Sequence, residues 1–309
     1  MIKRTIFLGS DAYLRTKDKQ MWIDFADKDK ASISLPIEDI GVIVMEAYQM
    51  TISLNLISRL LDNNVAIITC NRKKMPQGLM LNLEGNTLQQ VRFKAQIDAS
   101  LPLKKQLWAQ TIKQKILNQG KLLAKWHLVD NVYQSNTRNM MQWASSVRSG
   151  DPDNFEARAA VYYWRHLFAD YVPDFVRGRE EAPPNNLLNY GYAILRAVTA
   201  RALVASGLLP TLGIYHHNKY NAYALADDIM EPYRPLVDEI VFGIVAVKHA
   251  QKDYDLTRTL KAELLKIPAI DVIIDGERSP LMNAMQRTTS SLYQCFAGES
   301  RKIMYPEIQ

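Results

Sequence analysis

The sequence predicts an α+β protein, with a small N-terminal β-rich domain followed by a larger all-α domain, and three observations carry that prediction. Apolar and polar residues alternate with a period of two through much of the first seventy positions. From residue 88 onward the period becomes 3.6 and few strand candidates remain. The segment 186–206 is nearly uncharged: Leu188, Tyr192, Leu195, Val198, Thr199 and Leu203 are interrupted only by Arg196 and Arg201, as expected of the buried centre of a helical domain.

Composition sets the outer limits. A chain of 309 residues is better served by two cores than by one. With 48% apolar and 23% charged residues it has the balance of an ordinary globular protein. A formal charge of +6 tilts the choice of partner toward a polyanion such as nucleic acid. The two cysteines, Cys70 and Cys295, stand far apart, which argues against a thiolate metal centre and fits a reduced, cytoplasmic protein. No apolar run approaches a membrane span and the N-terminal run is too short for a signal segment, so the expectation is a soluble chain without a membrane partner.

Each element follows from local pattern. Ile6 and Leu8, the run 21–25 and the run 31–35 read as strands, separated by the charged turns 17–19 and 27–30. Residues 41–45 are apolar on both faces and suit a buried central strand. Leu54, Ile57, Ser58 and Leu61 recur at helical spacing, and 62–64 then stop the helix ahead of an apolar strand at 65–69. The stretch 76–90, containing Pro76, Gly78 and Gly85, reads as a linker, which places a β-domain at 1–75 and a helical domain at 91–309. Residues 134–153 read as a short helix between loops, with Asp153 or Asn154 capping the helix that follows.

Two stretches carry charge patterns that call for a reason. Between Ala99 and Val129 lie Lys104, Lys105, Lys113, Lys115, Lys121 and Lys125, with no acidic residue. Either this is a solvated helix face or it is a surface for phosphates. At 212–238 the adjacent His216 and His217 precede a helix bearing Asp227, Asp228 and Glu231. Asp228 and Glu231, three residues apart, lie about 60° from each other on a helix and can converge on one object. Like charges repel at such spacing, and a divalent cation would relieve them. Glu156, read alone, is a first-turn carboxylate that favours the helix dipole.

The order of short motifs adds a resemblance. GLLPTLGIYH at 207–216, DIMEPYRP at 228–235, NLLNYGY at 186–192, EARAAVYY at 156–163 and PIEDIGVIV at 36–44 together resemble the CRISPR-associated integrase and endonuclease that inserts new spacers during adaptation. The HHN and MEPYRP wording is most similar to the branch that accompanies single-protein (type II) effector nucleases. The resemblance implies that the helical domain is catalytic and that Glu156, His216 and Glu231 bind the catalytic metal. Asp228, His217 and Arg234 are implied only as supporting residues. It further implies a homodimer, two such dimers bridged by a small CRISPR-associated subunit, double-stranded DNA as prespacer and repeat, and contact with the effector nuclease; the exposed strand edges of the β-domain offer a surface for the dimer.

Two carboxylates and an imidazole suit Mg²⁺ or Mn²⁺ better than a structural zinc. Exchange of one phosphodiester for another needs no nucleotide motif, and no P-loop occurs. Arg234 could hold a phosphate or pair with a neighbouring carboxylate, the pairing being the stronger expectation. Arg177 and Arg179 are further candidates for DNA backbone contact. A nonspecific metallonuclease and a noncatalytic helical DNA-binding scaffold are the rival readings.

Overall fold

Strands dominate the first eighty residues of the computed structural model, which describes residues 3–126, 131–178, 180–248, 250–251 and 253–308. These are β1 Arg4–Leu8, β2 Ala12–Lys17, β3 Gln20–Phe25, β4 Ile33–Pro36, β5 Ile40–Met45, β6 Thr51–Ile52, β7 Ala66–Cys70 and β8 Pro76–Met80. One sheet has the order β4-β3-β2-β6. Its β2–β3 hairpin closes on Asp18 and Lys19, both at positive φ, as a tight hairpin turn requires. The other sheet has the order β1-β5-β7-β8, with β5 parallel to β1 and β7 and β8 antiparallel on the edge.

The run at 41–45 is a central strand, as its two-faced apolar pattern predicts. Val42 and Val44 join the core shared with the helices, whereas Ile43 joins the second core beneath α1 (Leu54–Asp62). Ser53 caps α1 by accepting from the Leu56 N–H, and the helix gives way at Asn64, whose φ is 55°. Strand β8 lies inside the stretch read as linker. Pro76 opens it at a sheet edge, where a missing N–H is tolerated, so turn-rich composition concealed a strand.

The helical half comprises α2 Gln89–Ile97, α3 Leu101–Trp126, α4 Asn131–Ser146, α5 Phe155–Leu167, α6 Asn185–Ala205, α7 Ala224–Met230, α8 Arg234–Lys248, α9 Arg258–Leu264 and α10 Leu281–Phe296. The helix α4 is longer than the short one expected there. Helix α6 is buried along nearly its whole length, as its lack of charge predicts, and packs against β7 and β8 as well as α7, α8 and α10. Three short strands, β9 Asp271–Ile274, β10 Glu277–Pro280 and β11 Pro306–Glu307, add a small sheet to this half that the sequence pattern did not announce. The C-terminal residues Ile303, Tyr305 and Ile308 are buried, and Asn118 of α3 donates to the Pro306 carbonyl at 3.0 Å and to the Pro232 carbonyl at 2.8 Å. The C-terminal segment thereby buttresses the turn between α7 and α8. Among the described residues no helix is long and apolar enough to cross a membrane.

Candidate active site

Glu156 enters the site from the first turn of α5. Asn154 is the N-cap residue by position, but neither its side chain nor that of Asp153 serves the helix terminus: the buried Asp151 accepts from the backbone N–H groups of Phe155 and Glu156 at 3.0 and 2.9 Å. Asn154 takes a left-handed φ of 53°, and Asp153 pairs with Arg148. With the helix terminus already served by Asp151, the Glu156 carboxylate meets the Lys115 ammonium of α3 at 2.8 Å.

The same ammonium meets Glu231 at 2.7 Å. Glu231 opens a 3-10 turn, Glu231–Tyr233, in which Pro232 tightens the passage from α7 to α8. Arg234 Nε lies 3.0 Å from the other Glu231 oxygen. Glu231 Oε2 is buried and contacts the ammonium as a close ion pair without the alignment of a hydrogen bond. Burial pushes the Glu231 carboxyl up, but Arg234, Lys115 and His216 outweigh it and hold the group below the usual range. Burial likewise pulls Lys115 down, and Glu231 and Glu156 more than reverse this.

His216 is placed by the loop before α7, and the fully buried Asp228 organises that loop. Its Oδ2 accepts from the N–H groups of Ile214 and Tyr215 at 2.7 and 3.0 Å, while Oδ1 takes the His216 N–H and ring Nδ1. A Cβ at Gly213 would stand 2.8 Å from Asp228 Oδ2 and 2.5 Å from the His216 carbonyl oxygen, so this close approach requires glycine. Trp108 stacks on Tyr215 at 4.2 Å and meets the His216 ring edge-on at 5.5 Å. The Asp228 hydrogen bond raises the His216 pKa against the pull of desolvation, and the charges of Glu231 and Glu156 add to it. With Nδ1 engaged by Asp228, Nε2 is the ring nitrogen left over.

Asp227, Asp228 and Glu231 do not converge on one object. Arg196 and Asn221 hold Asp227, the loop amides and His216 hold Asp228, and Lys115 with Arg234 holds Glu231. Three separate sets of partners relieve the repulsion that suggested a shared cation. Among the described residues no three His, Cys, Asp or Glu side chains stand as a preformed metal cage. The groups that could close on a divalent ion are Glu156, Glu231 and the free Nε2 of His216.

His217 is exposed and takes no part in this network. Arg234 is paired with Glu231, the outcome its position favoured. Arg177, expected as a backbone contact, is tied to Asn185 and Asn189 at 2.9 Å each, and Arg179 lies outside the described residues. Of the six lysines at 104–125, Lys115 is buried, and Lys121 and Lys125 pair with Glu307 and Glu239, so carboxylates from other elements answer much of the acid-free stretch. Lys115 is the residue the sequence reading missed as part of the site. Its signal was position: Trp108, Thr111, Ile112, Asn118, Gln119 and Leu122, at three, four and seven residues on either side, form a buried face with this lysine at its middle.

A family model described as "CRISPR associated protein Cas1" matches residues 6–274. The chain is similar to a CRISPR-associated endonuclease Cas1 from Neisseria meningitidis serogroup C, at 33% identity over 310 residues, covering 100% of this chain and 97% of that one. Among solved structures it resembles a casposase bound to integration product, with a TM-score of 0.75, 19% identity and coverage of 97% of this chain and 92% of that one. It also resembles a chain of a Cas6-RT-Cas1–Cas2 complex, with a TM-score of 0.75, 20% identity and coverage of 100% of this chain and 37% of that one. At such identity these two structures speak for the fold.

Proposed function

The chain belongs to the CRISPR-associated Cas1 family, and from that premise we propose that it inserts short DNA fragments as spacers into a CRISPR array, the 3′-hydroxyl of the fragment attacking a repeat phosphodiester. One observation carries the assignment to specific residues: Glu156 and Glu231 converge on a single cation beside an imidazole that Asp228 orients.

The donor set fits Mg²⁺ or Mn²⁺. Two carboxylates already share one positive charge, a buried Glu231 oxygen lacks an aligned hydrogen bond, and the imidazole retains one free nitrogen. A bound ion of this kind supplies Lewis-acid stabilisation of charge on the scissile phosphate and the departing 3′-oxygen. Glu156, Glu231 and His216 Nε2 would hold it. Asp228 keeps the His216 proton on Nδ1, and Trp108 and Tyr215 fix the ring plane. Glu156 and His216 are partly exposed, which leaves the site open to a nucleic-acid backbone.

The substrates in this reading are double-stranded prespacer and repeat DNA. The assembly is a homodimer, two of which are bridged by a small CRISPR-associated subunit, and the type II branch is compatible with the Neisseria relative. The Cas1–Cas2 complex and the product-bound casposase among the fold neighbours support the choice of partner and substrate. The test is strand transfer into a repeat-containing plasmid. Glu156→Ala, His216→Ala and Glu231→Ala should each lower joining by more than about a hundredfold, beyond the loss typical of an outer partner of a metal ligand, and chelator should do the same to the parent. Undiminished joining by all three variants would refute the assignment.

A further inference from the structure

A lysine ammonium sits where the proposed chemistry needs a different cation. Lys115 Nζ is 2.8 Å from a Glu156 oxygen and 2.7 Å from a Glu231 oxygen, contacts as short as charge-assisted hydrogen bonds. Its side chain is 11% exposed and lies in the buried face of α3. Two carboxylates left there without a cation would repel in a poorly solvated setting, so the metal-free chain needs this charge. A divalent ion binds carboxylate oxygens at about 2.0–2.2 Å, so an ion on these two oxygens would bring its double charge close against the ammonium that already touches both. Arg234 lies beside Glu231 as well, so adding a divalent ion while retaining both side-chain cations would leave the two carboxylates overcompensated.

We propose that Lys115 is the resident counter-ion of the Glu156–Glu231 pair and that it and the catalytic divalent cation are mutually exclusive partners of those carboxylates. This rests on the metal site proposed above. Lys115 thus keeps the two acids in register before metal arrives and sets the affinity with which metal is taken, because every binding event must break its two ion contacts. It is a positioning residue, acting through the ligands and not on the DNA.

Manganese binding to the purified full-length chain, followed by the electron paramagnetic resonance of free Mn²⁺, tests the exchange without reference to activity. Lys115→Met removes the competing charge and keeps the volume. It should tighten Mn²⁺ binding by about tenfold or more, since the ion then relieves a Glu156 left without its cation and a Glu231 left with Arg234 alone. It should also lower thermal stability in chelator, with Mn²⁺ restoring most of the loss. Lys115→Arg keeps the competitor and should bind Mn²⁺ no better than the parent. A second measurement needs no variant: acetylation of Lys115 in the parent, read by mass spectrometry, should rise several-fold at saturating Mg²⁺ as the amine is released. Unchanged or weaker Mn²⁺ affinity in Lys115→Met, or unchanged labelling of Lys115 with metal bound, would overturn the exchange and leave the metal site standing. If the parent and Glu231→Ala bound Mn²⁺ alike, the metal site itself would be wrong and the exchange with it.

Discussion

Asp228 shows how one side chain can serve a site without belonging to it. From the sequence it shares a helical face with Glu231, yet it turns the other way, toward three consecutive backbone amides and the imidazole of the 214–216 loop. Its hydrogen bond to the ring is the first cause of the raised His216 pKa, and its charge adds to it. Asp228→Asn should therefore lower strand transfer by about 10–100-fold, the usual cost of losing the outer partner of a ligating histidine. The sign of the pH effect also follows. With Asp228 neutral, His216 surrenders its proton at lower pH, so the acid limb of the rate profile and the His216 titration followed by NMR should both move to lower pH. A lower rate with an unmoved acid limb would place the role of Asp228 in folding of the loop alone. The motifs named Glu156, His216 and Glu231 as candidates, and the spacing favoured the pairing of Arg234 with Glu231, but the contacts made by Asp151, Asp228 and Lys115 were not legible. Asp151 caps α5 across a left-handed turn, Asp228 reaches back over a loop that only Gly213 permits, and Lys115 comes from another helix. Each depends on the path of the chain, which residue spacing does not record.

Elements were legible where their periodicity ran unbroken by turn residues. The alternating strands, the two-faced strand β5 and the uncharged helix α6 stand where their periodicity puts them. The strands β9, β10 and β11, of four residues or fewer, carry too few repeats to register. What joins the helices around the site is a buried node. Tyr163 of α5 and Tyr192 of α6 donate to Asp238 of α8 at 2.9 and 2.5 Å. Tyr163 lies two turns beyond Glu156 and Asp238 two turns beyond Glu231, so the node ties together the segments carrying both acids. Arg177 and Arg234 each lie over the Tyr192 ring, at 5.3 and 4.8 Å. Burial pushes the Asp238 carboxyl up to about 7 from an ordinary 3.8, against the opposing pull of both tyrosines, Arg177 and Arg234. Between those values the native chain holds more protons than the unfolded one, so stability falls as pH rises. The contribution is complete below the unfolded value and is lost as pH climbs through about 7. Asp238→Asn cannot titrate, so its melting temperature relative to the parent should climb between pH 5 and pH 8. A constant offset across that range would show that Asp238 is ionised in the folded chain throughout.

At the scale of the whole molecule, the strand-rich and helical halves share a layer. Val42, Val44, Ala66 and Ile68 on one face of the parallel sheet belong to the same apolar core as α6, whereas Ile43 and Ile67 on the other face belong to the core of the N-terminal half. The change from period two to period 3.6 marks a change of architecture, and the apolar packing runs on across it. At this seam lies a buried ion pair between Glu46, just after β5, and Lys261 of α9, with the exposed Lys74 at 3.7 Å from the second Glu46 oxygen. The two ends of the pair are not equivalent. Glu46→Gln leaves Lys261 charged and buried with no carboxylate, a situation that costs about 3–5 kcal/mol. Lys261→Met leaves Glu46 with Lys74 still beside it, so the loss should be smaller. Removing both charges in Glu46→Gln/Lys261→Met takes away the desolvation cost along with the attraction, and the double variant should recover most of the stability lost by Glu46→Gln alone. Chemical denaturation of the four proteins measures this coupling. Additive losses would mean that the pair is solvated in solution and that the seam is held by its apolar residues alone.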